Sequence, residues 1–228
     1  MDDQQFNLLT GRQDPPLTCL GGSIYLQPPV AAAVQALQAQ ATKAGIDLQI
    51  ASGHRSFARQ LLIWNEKING LRPLLDRQER PLNPRAYAPA DLLKPLLYWS
   101  ALPGTSRHHW GTDFDVFDAA VIKREDLQLT MHEAQTTLAD LHHWLDEILP
   151  ASKFFRPYAE TQQGFAPEPW HLSFAPLAQT YQAQYTLEVF TQNLQRAPQL
   201  LLREHVLAQA AQIFTNYVQD ISLPAALA

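Results

Sequence analysis

Apolar positions recur at helical spacing in several stretches of the chain and alternate at strand spacing in shorter ones. Val30, Val34, Leu37 and Ala41 fall three and four apart, which predicts a helix ending near Gly45. Ile46 to Ala51 alternates apolar and polar, the pattern of a strand with one buried face. Residues 57–68 read as a second helix, closed by Asn69-Gly70. FDVFD at 114–118 predicts a strand, and shorter strand-like pieces fall near 153–156 and 170–174. Thr130 with Glu133 has the form of a capping box, and Leu138, Leu141, Leu145 and Ile148 give the following helix its apolar stripe. From about residue 176 the pattern is mostly helical, with Val206, Ala210, Ile213 and Tyr217 on one face. Residues 1–29 read as irregular. Residues 71–90 carry Pro73, Pro81, Pro84 and Pro89 and predict a long surface excursion, with a short broken helix after it. No internal repeat and no low-complexity tract interrupts this order.

Composition narrows the picture. A chain of 228 residues is long enough for one large domain, or a domain with an extension, around a real core. Its charge, 17 − 22 = −5, argues against a nucleic-acid partner, which needs a basic face. A single cysteine, Cys19, excludes an internal disulfide framework and a multi-thiolate metal site. Any metal must therefore be held by histidine and carboxylate. The opening MDDQQFNLL has no basic segment followed by an apolar one, and no apolar run reaches membrane-spanning length. The default expectation is a cytoplasmic protein; a periplasmic one reached by an unusual export route is the alternative.

The unusual residues concentrate in SGHRSFARQ (52–60), PGTSRHHWGTDFD (103–115) and EPWH (168–171). His108 on a loop and a carboxylate on the adjoining strand can reach one ion, and His171 can add a third ligand. Asp113 and Asp115 share a strand face, so spacing alone allows either. Glu168, three residues before His171, can act as a base beside such an ion. Less chemical readings compete. His142-His143, near Asp146, reads as a solvated helix face. Trp110 and Trp170 read as packing residues. Arg55 could be a salt-bridge partner of Glu66 or Asp91.

Taken together, Ser52-Gly53-His54-Arg55-Ser56 with Gln60, Ser106-Arg107-His108 with Gly111 and Asp115, and Glu168-Pro169-Trp170-His171 resemble the zinc D-alanyl-D-alanine carboxypeptidases. That family includes the vancomycin-resistance D,D-carboxypeptidases and shares its fold with D,D-dipeptidases, L,D-carboxypeptidases and hedgehog signalling domains. The resemblance spans roughly residues 25–175. Each short motif is weak alone, but the ordered set is strong. It implies that His108, Asp115 and His171 bind Zn2+, that Glu168 is the catalytic base, and that Arg55 stabilises the carbonyl oxyanion or holds a substrate carboxylate. It also implies that Ser106 and Gln60 contact the substrate C-terminus. Departures lie at His54, where the family has Tyr, at Asp113 within Gly111–Asp115, in the 71–98 insertion, and in the residues after the last motif.

The implied activity is metal-assisted hydrolysis of D-amino-acid-containing peptides of peptidoglycan type, foremost a D-alanyl-D-alanine carboxypeptidase. A peptidoglycan endopeptidase, an L,D-carboxypeptidase and a non-catalytic zinc-binding interaction module are the alternatives. The expected fold is α+β: a small, mostly antiparallel sheet bearing the zinc site, flanked by helices. Residues 1–175 form the catalytic domain in this reading. Residues 176–228 form a helical C-terminal extension packed on it, dispensable for zinc binding.

Overall fold

The computed structural model describes residues 1–159 and 164–224, so the last four residues of the expected extension lie outside it. The chain opens with α1 (Asp3–Leu9), which corrects the irregular reading of this region. Asp2 caps it by accepting the Gln5 amide at 2.7 Å, and only Phe6 and Leu9 are buried, too few positions to read as a period. A hairpin follows, β1 (Thr18–Gly21) with β2 (Ile24–Leu26). The predicted first helix is α2 (Pro28–Lys43), which starts on prolines whose missing N–H groups would be unpaired there anyway. Then come β3 (Leu48–Ser52) and α3 (Phe57–Ile68), the latter capped by Ser56.

The 71–98 insertion is more ordered than its prolines suggest. It contains a small hairpin, β4 (Leu74–Leu75) and β5 (Pro81–Leu82), and then α4 (Pro89–Trp99). α4 runs unbroken through Pro95, contrary to the broken helix expected. An interior proline costs about 3 kcal/mol. Burial of Leu92, Leu93, Leu96 and Leu97, at about 1.5–3 kcal/mol each, outweighs it.

The central strand is β6 (Asp113–Asp118). The capping box at Thr130 is real, but the single helix predicted after it is two, α5 (Met131–Gln135) and α6 (Ala139–Ile148). Thr136, at φ −122° and ψ −86°, turns the chain between them. β7 (Phe154–Phe155) and β8 (His171–Phe174) complete the strands. The C-terminal helices are α7 (Ala175–Gln184), α8 (Leu187–Gln195), α9 (Arg203–Leu207) and α10 (Ala210–Phe214). Among the described residues no helix is long and apolar enough to cross a membrane.

The sheet has the order β3-β6-β8-β7, antiparallel throughout, and the class is α+β. Two cores flank the segment that joins the motifs. One gathers α2, α6 and the sheet around Val34, Phe114, Leu141 and Leu172. The other gathers α1, α3, α4 and the C-terminal helices around Phe6, Trp64, Leu96 and Phe190. Trp110 belongs to the second core and Phe114 to the first, so residues 110–114 run between them.

The C-terminal helices are built into this arrangement. Trp64 of α3 donates to the Leu201 carbonyl at 3.0 Å, and Tyr185 donates to the Gly104 carbonyl. Buried Asn193 donates to the Pro103 carbonyl at 2.8 Å and accepts from Arg12. Gly104, at φ +90°, lies so close to Asn193 that a β-carbon would collide with its amide. Removal of residues 176–228 would therefore open the core that carries α3 and α4. A chain ending at residue 175 should lose cooperative thermal unfolding and bind less than about a tenth of the wild-type zinc, read by calorimetry and metal analysis. Asn193→Ala in the full chain should cost about 1–3 kcal/mol in denaturant unfolding, because the Pro103 carbonyl is left buried and unpaired.

Candidate metal centre and cleft

Strand register brings the motifs together. Ser52 of β3 pairs with Asp115 of β6, and Asp115 pairs in turn with His171 of β8. Cross-strand partners hold their β-carbons about 4.5–5.5 Å apart, so this one row aligns a ligand candidate on each of two strands. His108 enters from a single 3-10 turn, Arg107–Trp110, which Gly111 closes in the left-handed region at φ 64°. Ligating atoms of His108, Asp115 and His171 all lie within 4.8 Å of one another, and all three residues are buried. His108 Nε2 is 3.4 Å from Asp115 Oδ2, and His171 Nδ1 is 3.2 Å from Asp115 Oδ1.

The outer ring nitrogens are spoken for. His108 Nδ1 meets the Gly53 carbonyl at 2.9 Å, and His171 Nε2 meets Asp113 Oδ1 at 3.1 Å. Each imidazole thus turns its other nitrogen inward, the arrangement that fixes tautomer and aim at metal sites. Asp113, open as a ligand on spacing alone, faces the far side of His171. Arg107 Nε reaches it at 2.7 Å, and Arg107 also donates to Ser173 and to Gln182 of α7. Asp115 Oδ1 is buried and, despite its 3.2 Å approach to His171, accepts no well-angled hydrogen bond. Two imidazole nitrogens and an orphaned carboxylate oxygen converge on one point. That donor set fits a cation of zinc type.

Electrostatics follow from this packing. Burial by itself would raise the Asp115 and Asp113 carboxyls, but His108 and His171 hold the first, and Arg107 the second, well below the usual range. Burial would lower the His171 imidazolium, yet hydrogen bonds to Asp113 and Asp115 push it up to about 9. Burial lowers His108. Glu168 lies 3.7 Å from His171, and burial, helped by Asp115, pushes its carboxyl up to about 7.

Arg55 sits between β3 and α3, and its guanidinium donates to Gln60 Oε1 at 2.7 Å and to Ser52 Oγ at 3.1 Å. Neither Glu66 nor Asp91 pairs with it; Glu66 binds Arg72 instead. Gln60 spends its other end on the Ala101 carbonyl at 2.7 Å, so in this structure it braces Arg55. Ser106 is buried at the cleft wall. The cleft has a volume of about 330 Å³ and is lined by Arg55, Lys67, Ser106, Glu168, Trp170 and His171 among others. A larger cavity of about 570 Å³ lies beside Tyr87, Tyr98 and Tyr217 and contains none of these ligand groups, so the chemistry is placed in the smaller one.

Two further histidines lie outside the ligand cluster. His109 turns away: Gly104 N–H donates to its Nε2 at 3.0 Å, and its Nδ1 meets the Arg55 carbonyl. His142 is buried against Arg156, which corrects the solvated face expected for the His142-His143 pair; only His143 is exposed. Sequence reasoning missed Arg107 and Gln182 as supports and Lys67 as a cleft residue. Lys67 had a usable signal, since it follows Gln60 and Ile63 at seven and four residues on one face of α3.

Residues 23–177 match the profile of the family described as VanY: D-alanyl-D-alanine carboxypeptidase. An uncharacterized protein of Haemophilus influenzae is 32% identical over 122 residues, which cover 51% of this chain and 92% of that one. Among solved structures, VanYB in complex with D-alanine-D-alanine aligns at 23% identity and a TM-score of 0.54, over 79% of this chain and 90% of that chain. The vancomycin-resistance D,D-pentapeptidase VanY in complex with Zn(II) aligns at 24% and 0.53, over 77% and 88%. The LD-carboxypeptidase LdcB aligns at 21% and 0.52, over 86% and 79%. At these identities the likeness to the solved structures is one of fold.

With His171 protonated below about 9 in the metal-free chain, an entering divalent ion must displace a proton. The association constant for zinc should therefore rise about tenfold per pH unit from about pH 6 to 8, measured by competition with a chelating dye. Asp113→Asn should weaken zinc binding about 10–100-fold without changing the one-to-one stoichiometry, because His171 loses its anchoring carboxylate.

Proposed function

Because the chain belongs to the VanY D-alanyl-D-alanine carboxypeptidase family, we propose that it is a zinc peptidase removing the terminal residue from peptidoglycan-type peptides that end in D-alanine. The observation that carries this reading is the buried His108, Asp115 and His171 group with Glu168 and Arg55 facing the same cleft. His108 Nε2, an Asp115 carboxylate oxygen and His171 Nδ1 would hold the ion. When bound, zinc supplies a Lewis acid for the scissile carbonyl and lowers the pKa of water to about 7.

The chain's own residues do the rest. Glu168, pushed up to about 7 by burial, can hold or release a proton near neutral pH. It accepts a proton from the attacking water and returns it to the leaving amine. Arg55, braced by Gln60 and Ser52, donates to the carbonyl oxygen as negative charge builds there. Trp170 and Tyr158 line the cleft, and the Tyr158 ring lies edge-on to His171. No covalent intermediate is needed, and Cys19 is exposed outside the cleft. The solved relatives support the substrate class: VanYB was captured with D-alanine-D-alanine, and LdcB is an LD-carboxypeptidase. A terminal D-residue is common to both chemistries, and the residue before it separates them.

Glu168→Gln should retain zinc while losing turnover by about 10²–10⁴-fold on peptides ending in D-alanine, followed by mass spectrometry of products. His171→Ala should lose both zinc and turnover. Arg55→Ala should lower kcat with little change in KM, and Arg55→Lys should rescue poorly, because lysine lacks the planar fork of donors. Wild-type turnover in the Glu168→Gln protein would remove the base from this mechanism.

A further inference from the structure

The cavity of about 570 Å³ that takes no part in the chemistry is walled by the two parts of the chain that depart from the family pattern. One wall is the 71–98 insertion, with Arg77, Gln78 and Tyr87; the other is α10 and the turn after it, with Gln212, Asn216 and Tyr217. This second wall lies beyond residue 177, where the family match ends. Leu82, Leu93 and Ile213 give the cavity an apolar floor. The insertion is anchored beside it, because Trp99 Nε1 donates to the Asp76 carbonyl at 2.9 Å and Asp76 spends its carboxylate on Arg80. The Arg77 guanidinium lies 4.7 Å from the Tyr98 ring centre. Neither it nor the side-chain amides of Gln212 and Asn216 donate to an acceptor among the described residues. Polar groups on facing walls above an apolar floor suit a ligand that is polar around its edge and apolar on its faces. A pyranose ring has that form, with hydroxyl groups at its rim and C–H bonds over its faces. An acidic side chain would engage Arg77 and leave the amides of the opposite wall unused. The volume falls in the range of about 300–1,000 Å³ typical of ligand pockets.

This cavity adjoins the catalytic cleft, since Leu75 lines both. Ring contacts also join them, from Tyr217 in the cavity through Phe165 and Tyr158 to His171 in the cleft, with centroids 5.6, 5.0 and 5.0 Å apart. An extended peptide covers about 3.3–3.6 Å per residue, so about four or five residues reach from the metal group to the cavity. Resting on the peptidase reading, we infer that the cavity binds an amino-sugar ring of the glycan strand that bears the peptide, so that the enzyme prefers peptide still attached to sugar over free peptide. An enzyme that removes one terminal residue leaves too little on the leaving side to extend this far. The occupant therefore belongs to the part of the substrate that precedes the scissile bond. Sugar held at this distance from the reacting carbonyl is bound equally in the ground state and the transition state, so its effect falls on KM.

One measurement needs no hydrolysis. A soluble oligosaccharide of N-acetylglucosamine and N-acetylmuramic acid, without peptide, is titrated into the zinc-loaded, full-length protein and followed by calorimetry. It should bind at one site per chain. The double variant Tyr87→Ala, Gln212→Ala removes groups from both walls, and Ala90→Trp puts an indole into the cavity. Each should weaken oligosaccharide binding at least about tenfold. A second measurement compares a pentapeptide ending in D-alanyl-D-alanine with the same peptide attached to N-acetylmuramic acid. The sugar should lower KM about tenfold and leave kcat within about threefold. In both variants the two substrates should converge to within about twofold in KM, with turnover of the free peptide unchanged. Zinc content and thermal melting check that each variant is folded. An oligosaccharide that fails to bind, or that binds Ala90→Trp as tightly as the unaltered protein, overturns the inference, as does a KM indifferent to the sugar. If the oligosaccharide binds as expected while neither peptide is hydrolysed, it is the peptidase reading that fails, and the sugar site stands.

Discussion

Asp113 and Asp115 stand two residues apart on a strand whose every residue is buried, and the surrounding structure is the answer to their charge. A carboxylate kept ionised in a protein interior costs several kcal/mol unless partners surround it. Arg107 and Thr112 take up Asp113, His108 and His171 crowd Asp115, and His171 touches both. The chain of contacts does not stop at the strand. Arg107 continues to Ser173 on β8 and Gln182 on α7, so the position of a histidine in the centre depends on a helix beyond the last motif. What is left unanswered is Asp115 Oδ1, buried without a hydrogen bond on the side to which the imidazoles turn their inner nitrogens.

The cleft shows the same division of labour. Its reactive groups come from the sheet and its loops, while α3 lays a stripe of Gln60, Ile63 and Lys67 beside them. α3 is held in turn by residues near 200, through Trp64 and Asn65. The insertion at 71–98 adds Pro73 and Leu75 to the wall, and Trp99 follows at its end. Fold and specificity are thus coupled through parts of the chain that carry no ligand.

Much of the site was legible in the sequence because metal and proton-transfer chemistry tolerates few residue types. His108, Asp115, His171, Glu168 and Arg55 could be picked out by type and order, and strand alternation placed Asp113 and Asp115 on one face. Long apolar periods revealed α2 and α3 for the same reason, since a wide buried face repeats. What escaped depends on contacts that have no period. α1 buries two side chains and relies on one cap. The choice between Asp113 and Asp115 rests on which side of His171 each meets, a matter of register across strands. His142 looked solvated because Arg156, which covers it, lies fourteen residues away on another segment. α4 ignored Pro95 because leucine burial in a distant core decided its course.

The two ends of the described chain meet around the loop that precedes His108. Arg12 binds Asn193, Asp3 binds Arg196, and Gln5 binds Gln184, while Asn193 and Tyr185 hold residues 103 and 104. This imposes an order on biosynthesis. At about 5–20 residues per second, the segment around residue 10 emerges on the order of ten to forty seconds before its partners near 193. During that interval the core around Phe6 and Leu9 lacks its C-terminal helices, and the loop bearing His108 lacks its outer support. The loop that carries His108 therefore gains its outer support only after the segment around residue 193 has been made.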